Sequence, residues 1–98
     1  MTPYIAIAEL PEEFSSEFLQ TIPAHRMVVN DYLERGIISS YSLAADRSML
    51  WINITAENED ESAKIVKSLP ISKFVEFDVR ELLFYNSSGS VLPQIILN

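Results

Sequence analysis

The chain has 98 residues, 14 acidic against seven basic side chains, a net charge of −7 and 48% hydrophobic residues. That length and apolar content suit one domain with one core, and the acidity excludes a phosphate-binding surface, so neither nucleic acid nor an anionic membrane is an expected partner. No cysteine, one histidine and two glycines exclude a disulfide framework, a thiolate or multi-histidine metal site and a Gly-rich phosphate loop.

The first ten residues carry no basic region and acids follow them at once, which is unlike a targeting signal. No apolar run approaches the ~18 residues a spanning helix needs, so a soluble cytoplasmic protein is expected. Residues 3–10, PYIAIAEL, are a short apolar run with β-branched and aromatic members, a strand bounded by Pro11. Pro11-Glu12-Glu13 reads as a helix start, with proline in the first turn and acids near the positive end of the dipole. Phe14, Phe18, Ile22, His25, Val29 and Leu33 then recur at spacings of three and four, one helical stripe. Pro23 interrupts it by removing a backbone donor and disfavouring helix at Ile22. A kink or two helices, 12–21 and 23–35, are therefore expected, with Gly36 as the stop.

Residues 37–45, IISSYSLAA, and 49–56, MLWINITA, read as two strands joined by the turn Asp46-Arg47-Ser48, an antiparallel hairpin. Residues 57–61 hold four acids in five positions, where a second helix starts and runs to Pro70, with Lys64 and Lys67 near its negative end. Residues 74–85 form a fourth strand, Ser87–Ser90 a polar linker, and 91–98 an apolar tail. The order β-α-β-β-α-β predicts an α+β, ferredoxin-like domain over residues 1–86, its antiparallel four-stranded sheet covered by both helices on one face.

In strand 49–56, Leu50, Ile52, Ile54 and Ala56 belong under the helices, which turns Met49, Trp51, Asn53 and Thr55 the other way. Met49 and Trp51 are large apolar groups to leave in water. A second copy packing face to face, a homodimeric α+β barrel or a higher homo-oligomer, resolves this. The arm 87–98 is expected to dock on a partner subunit, because an exposed VLPQIIL is an aggregation hazard.

From Leu33 onward the sequence resembles the muconolactone isomerases. The resemblance lies in Leu33 through Gly36, the hairpin, the acidic helix start Asn58-Glu59-Asp60-Glu61, Ser68-Leu69-Pro70, and Val79 and Leu82 of the last strand; it covers about two thirds of the chain. It implies a small ferredoxin-like protein built from dimeric barrels that moves a proton beside a lactone carbonyl without metal or cofactor. The strand after the glycine here reads Ser39-Ser40-Tyr41-Ser42, and the end of the last strand Phe84-Tyr85-Asn86, in place of that family's basic and aromatic residues and its His-Pro. A looser resemblance is to the YCII-type domains, which place a helix histidine and a later aspartate where His25 and Asp46 stand.

Seven residues are the main candidates for a site, with Tyr4, Asp78 and Arg80 as secondary ones. His25 is the obvious general base, or else a buried histidine satisfied by one partner. Arg26 suits a substrate carboxylate, or pairs with Asp31 or Glu34. Asp46 orients His25 while Arg47 anchors an anion, or both simply form the turn with Ser48. Tyr41 and Asn53 fix a ligand's polar atoms and Trp51 packs its apolar part inside the shared barrel, with Tyr4 a less secure member of that set; the alternative is a dimer interface with no cavity. Asp78 and Arg80 form a structural pair or a substrate anchor. The run 57–61 lacks the alternating oxygen ligands and glycine turn of a calcium loop, so no metal is expected. Two functions follow: a cofactor-free isomerase acting on a small lactone or organic acid, or a non-catalytic oligomeric module that binds a small ligand or itself.

Overall fold

A computed structural model describes residues 1–88; the expected docking arm falls largely outside them. The elements are β1 (Thr2–Glu9), α1 (Ser16–Glu34), β2 (Ile38–Leu43), β3 (Met49–Ala56), α2 (Glu59–Ser68), a 3-10 turn at Pro70–Lys73, and β4 (Phe77–Glu81). All strand pairs are antiparallel, in the order β2-β3-β1-β4. This is the ferredoxin-like α+β fold.

The core is built where the strand alternation and the helix stripes meet. Tyr4, Ala6 and Ala8 of β1 and Leu50, Ile52, Ile54 and Ala56 of β3 are buried, against Phe18 and Val29 of α1 and Ile65 and Val66 of α2. The three small alanines let the helices approach the sheet closely. The opposite face carries Ile5 and Ile7 beside Asn53 and Trp51, all partly buried.

Three expectations about the elements need correction. The first helix begins at Ser16, not at Glu12: Ser15 caps it, its hydroxyl accepting from the Phe18 N–H at 3.1 Å. That cap satisfies an otherwise orphaned donor, which Pro11-Glu12-Glu13 lacks a side chain to do. Nor does the helix divide in two. It is one element through Pro23, because Pro23 and Ala24 lie on the exposed side, where the ring does not disturb the core, while Ile22, His25 and Val29 stay against the sheet. The last strand is also shorter than residues 74–85. Phe74 closes the 3-10 turn, its N–H donating to the Ile71 carbonyl at 2.9 Å, and its ring packs edge-on to Phe18 at 5.4 Å.

The helix stop is as expected. Gly36 has φ +74°, its N–H donates to Leu33 at 3.2 Å, and the Ile37 N–H reaches back to Tyr32 at 2.9 Å. These two bonds are the Schellman arrangement that satisfies the last carbonyls. In α2, Asn58 caps the Glu61 N–H at 2.9 Å, and Glu59, Asp60 and Glu61 sit in the first turn, favourably placed for the helix dipole.

The interior proline gives a direct test. Pro23→Ala restores one helical hydrogen bond and removes the ring clash, worth ~3 kcal/mol in a helix interior; the more flexible unfolded chain takes back up to ~1 kcal/mol. The variant is expected to gain about 2 kcal/mol, read as a higher urea midpoint with an unchanged slope.

Candidate functional site

The site begins with an irregularity in β2. Ile38 pairs with Ile54, but Ser40 pairs with Asn53, so the register shifts by one residue at Ser39. A bulge of this kind reverses the alternation beyond it. Ile38 is already buried beneath the helices; regular alternation would turn Ser40 and Ser42 inward and Tyr41 outward. With the bulge, Tyr41 pairs with Ile52 and shares its helix-facing side, while Ser40 and Ser42 join Asn53 and Trp51 on the open face. The Ser40 hydroxyl donates to Asn53 Oδ1 at 2.8 Å.

Tyr41 thereby meets α1. Its hydroxyl lies 2.5 Å from His25 Nε2, with the two rings tilted at 51°. His25 is 4% exposed, and its Nδ1 is buried without a hydrogen-bond partner. A neutral imidazole has one N–H and one lone pair, so one of its polar functions is unpaired here whichever nitrogen holds the proton. Burial lowers the His25 pKa from 6.5 to about 4, because the low-dielectric setting disfavours the imidazolium and no carboxylate offsets it. Burial also raises Tyr41, to about 12, opposed by the positive charge of Arg26. At neutral pH both partners are uncharged.

His25, Arg26, Val29, Asn30, Leu33 and Tyr41 line a pocket of about 290 Å³. Arg26 makes no ion pair among the described residues. Asp31, its expected partner, is held by Arg35 at 2.9 Å. Val29 and Leu33 give the pocket an apolar wall, and Asn30 adds an amide. Asn30 is the lining residue the sequence reading does not single out. Its position four residues after Arg26, on the same side of the helix, is the signal for it.

The other candidates lie elsewhere. Trp51 and Asn53 are on the opposite face of the sheet from Tyr41, so the three do not line one cavity; the bulge is the reason. Tyr4 is a core residue, 3% exposed. Asp46 does not orient His25: its carboxylate accepts from the Ser48 N–H at 3.0 Å and the Ser48 hydroxyl at 2.6 Å, and these bonds lower its pKa. Arg47, at φ +64°, forms the turn with them, and both residues line a separate pocket with Leu10, Pro11 and Phe14. Asp78 and Arg80 pair within β4 at 3.1 Å, largely in water, where such pairs contribute little. A larger hollow, about 820 Å³, lies by Ile7, Phe74 and Phe77, and its charged lining is only Glu9, Glu76 and Asp78. It has volume without a cation or a buried titratable group, so the smaller pocket is the chemically equipped one.

No family model matches the chain, and no curated protein matches it either. Among the described residues no cluster of three or more histidine, cysteine, aspartate or glutamate side chains is placed to hold a metal, and no helix is long and apolar enough to cross a membrane.

The lowered pKa of His25 makes stability depend on pH in a defined direction. The unfolded chain takes up the proton near pH 6.5 and the folded chain only near pH 4, so between these values the unfolded state binds more protons and stability falls as pH falls. The loss from His25 is about 3 kcal/mol by pH 4. Urea titrations at intervals from pH 7.5 to pH 4 should recover that component as the difference between the wild type and a His25→Leu variant, whose curve lacks it.

Proposed function

We propose that the protein binds a small organic acid in the pocket between α1 and β2. Arg26 takes the carboxylate through its guanidinium fork. The neutral His25–Tyr41 pair supplies a hydrogen bond to a second polar atom of the ligand, and Val29 and Leu33 pack its short apolar body. The observation that carries this reading is an arginine with no acidic partner among the described residues, on the same pocket wall as a buried histidine–tyrosine pair. A cation and a neutral hydroxyl facing one small hollow suit a carboxylate with a second polar atom.

The second reading is the cofactor-free isomerase. The hydrogen bond between His25 Nε2 and the Tyr41 hydroxyl favours it, since it gives a proton a path from the pocket to the imidazole. In that mechanism the Tyr41 oxygen takes a proton from carbon beside a carbonyl as its own proton passes to His25 Nε2, and Arg26 faces the developing enolate charge. A base with a pKa of about 4 is weak but fully deprotonated at neutral pH.

Heteronuclear NMR titration with benzoate, crotonate and γ-butyrolactone separates the possibilities. The acids are expected to shift the amides of residues 25–33 and 41, with Arg26→Gln weakening acid binding at least tenfold and leaving the lactone unaffected. No shift with any probe, or equal binding by the variant, overturns the binding reading. For the isomerase, deuterium exchange beside the ligand carbonyl is expected in D2O, with a rate that is flat above about pH 5 and falls below it as His25 protonates near pH 4. Exchange that persists in His25→Gln removes that mechanism.

A further inference from the structure

We propose that a second copy of this chain pairs with the free edge of β2, strand against antiparallel strand, about a two-fold axis. The sheet has two edges, β2 and β4, and they are protected differently. β4 carries Asp78, Arg80 and Glu81 within its five residues and Glu76 just before it. Charge on an edge strand discourages another strand from adding to it. Residues 36–45, which include all of β2, contain no charged side chain and no proline. The bulge at Ser39 discourages pairing there, but residues 40–43 beyond it run regularly against β3, and their outer edge has no strand partner among the described residues and no charge to repel an incoming strand.

The helix beside that edge adds exposed apolar groups. Leu19, Pro23, Arg26, Asn30 and Leu33 follow one another at steps of four and three, one stripe of α1, and the last three share the pocket with Tyr41. The stripe therefore runs along the β2 flank. Leu19 is 54% exposed, Leu33 38%, and Leu43, at the end of β2, 52%. Isolated exposed leucines mean little, but three on one flank beside an uncharged edge form a patch.

A second copy is the occupant for two reasons. Each chain carries −7, so like molecules repel where their acids face one another. Of the two sheet edges, β4 would set Asp78 and Glu81 against their copies, whereas β2 carries no charge and the helix stripe beside it only Arg26, so the repulsion is smaller at β2. An antiparallel two-fold pairing also uses the same strand on both sides, so one surface satisfies both copies. Because the organic-acid pocket opens on this flank, pairing would cover its mouth; that consequence rests on the function proposed above, whereas the pairing itself does not.

The test is sedimentation equilibrium from 5 µM to 1 mM on the full chain, joined to amide hydrogen exchange. The expected result is a monomer–dimer equilibrium in which the amides of β2, and not those of β4, gain protection as concentration rises. Leu43→Lys and, independently on the helix, Leu19→Lys should each weaken dimerisation at least tenfold while circular dichroism stays unchanged. Ile7→Lys, on the open sheet face, should not. A chain that is monomeric throughout, a dimer indifferent to both leucine substitutions, or one abolished only by Ile7→Lys overturns the proposal, the last in favour of face-to-face packing. Acid binding by a strict monomer would leave the pocket reading intact while removing this one.

Discussion

A single additional residue at Ser39 decides which way Tyr41 points, and the pocket depends on that direction. Strand alternation has a period of two, so inserting one position exchanges the faces for every residue beyond it. Without the bulge, Tyr41 would stand on the open face and His25 would lie under α1 with neither ring nitrogen paired to it. With it, the phenol crosses beneath the helix and satisfies Nε2. The bulge has its own support: the Ser39 hydroxyl donates to the Asn53 carbonyl at 3.3 Å and the Ser40 hydroxyl to the Asn53 amide oxygen at 2.8 Å. Asn53 thus acts on the site from the far side of the sheet, as a positioning residue for the distortion.

The pair that results is matched in charge and in environment. Burial shifts the two groups in opposite senses, the imidazole down and the phenol up, and each shift keeps its group neutral. A neutral pair is the form of these side chains that a dry helix–sheet junction tolerates. A hydrogen bond in that setting is electrostatically stronger than one in water, which fixes both rings. Arg26 stands at the edge of this junction with its guanidinium toward solvent. Its charge has no acidic partner among the described residues and lowers the cost of a phenolate. In the proposed function the two tasks are separate: the exposed cation would attract an anion, and the neutral pair would discriminate by hydrogen bonding.

Most of the fold is legible in the sequence because its signals are local and repeated. The alternation in residues 49–56, the stripe from Phe18 to Val29, the glycine after Arg35 and the asparagine before the acidic turn each specify their element through neighbours a few positions away. What is not legible is whatever depends on the partner strand. The residues Ser39-Ser40 show no glycine or proline to mark a bulge; the shift exists only as a mismatch with Asn53 across the ladder. For that reason Tyr41, Trp51 and Asn53 look like one group in the sequence and lie on two faces in the fold. Pro23 illustrates the converse. Its local signal is strong, and tertiary packing of Ile22, His25 and Val29 on the sheet outweighs it.

Charge placement joins the pocket to the rest of the molecule. Acids crowd the helix starts at Glu17 and Glu59–Glu61 and the β4 side at Glu76, Asp78 and Glu81, and two of the arginines, Arg35 and Arg80, are already paired with aspartates. Surface charges act over a Debye length of ~8 Å at physiological salt, so these acids repel an anion locally and do not blanket the whole surface. The β2 flank is spared. There the strand is uncharged and Arg26 has no ion-pair partner among the described residues, so a carboxylate approaching as proposed would meet less repulsion on this side. The same asymmetry favours the proposed pairing at β2 over one at β4, where the acids of two copies would face each other. A strongly negative net charge and the proposed anion-binding pocket are therefore compatible: the acids at the helix starts and on β4 leave the flank where Arg26 stands.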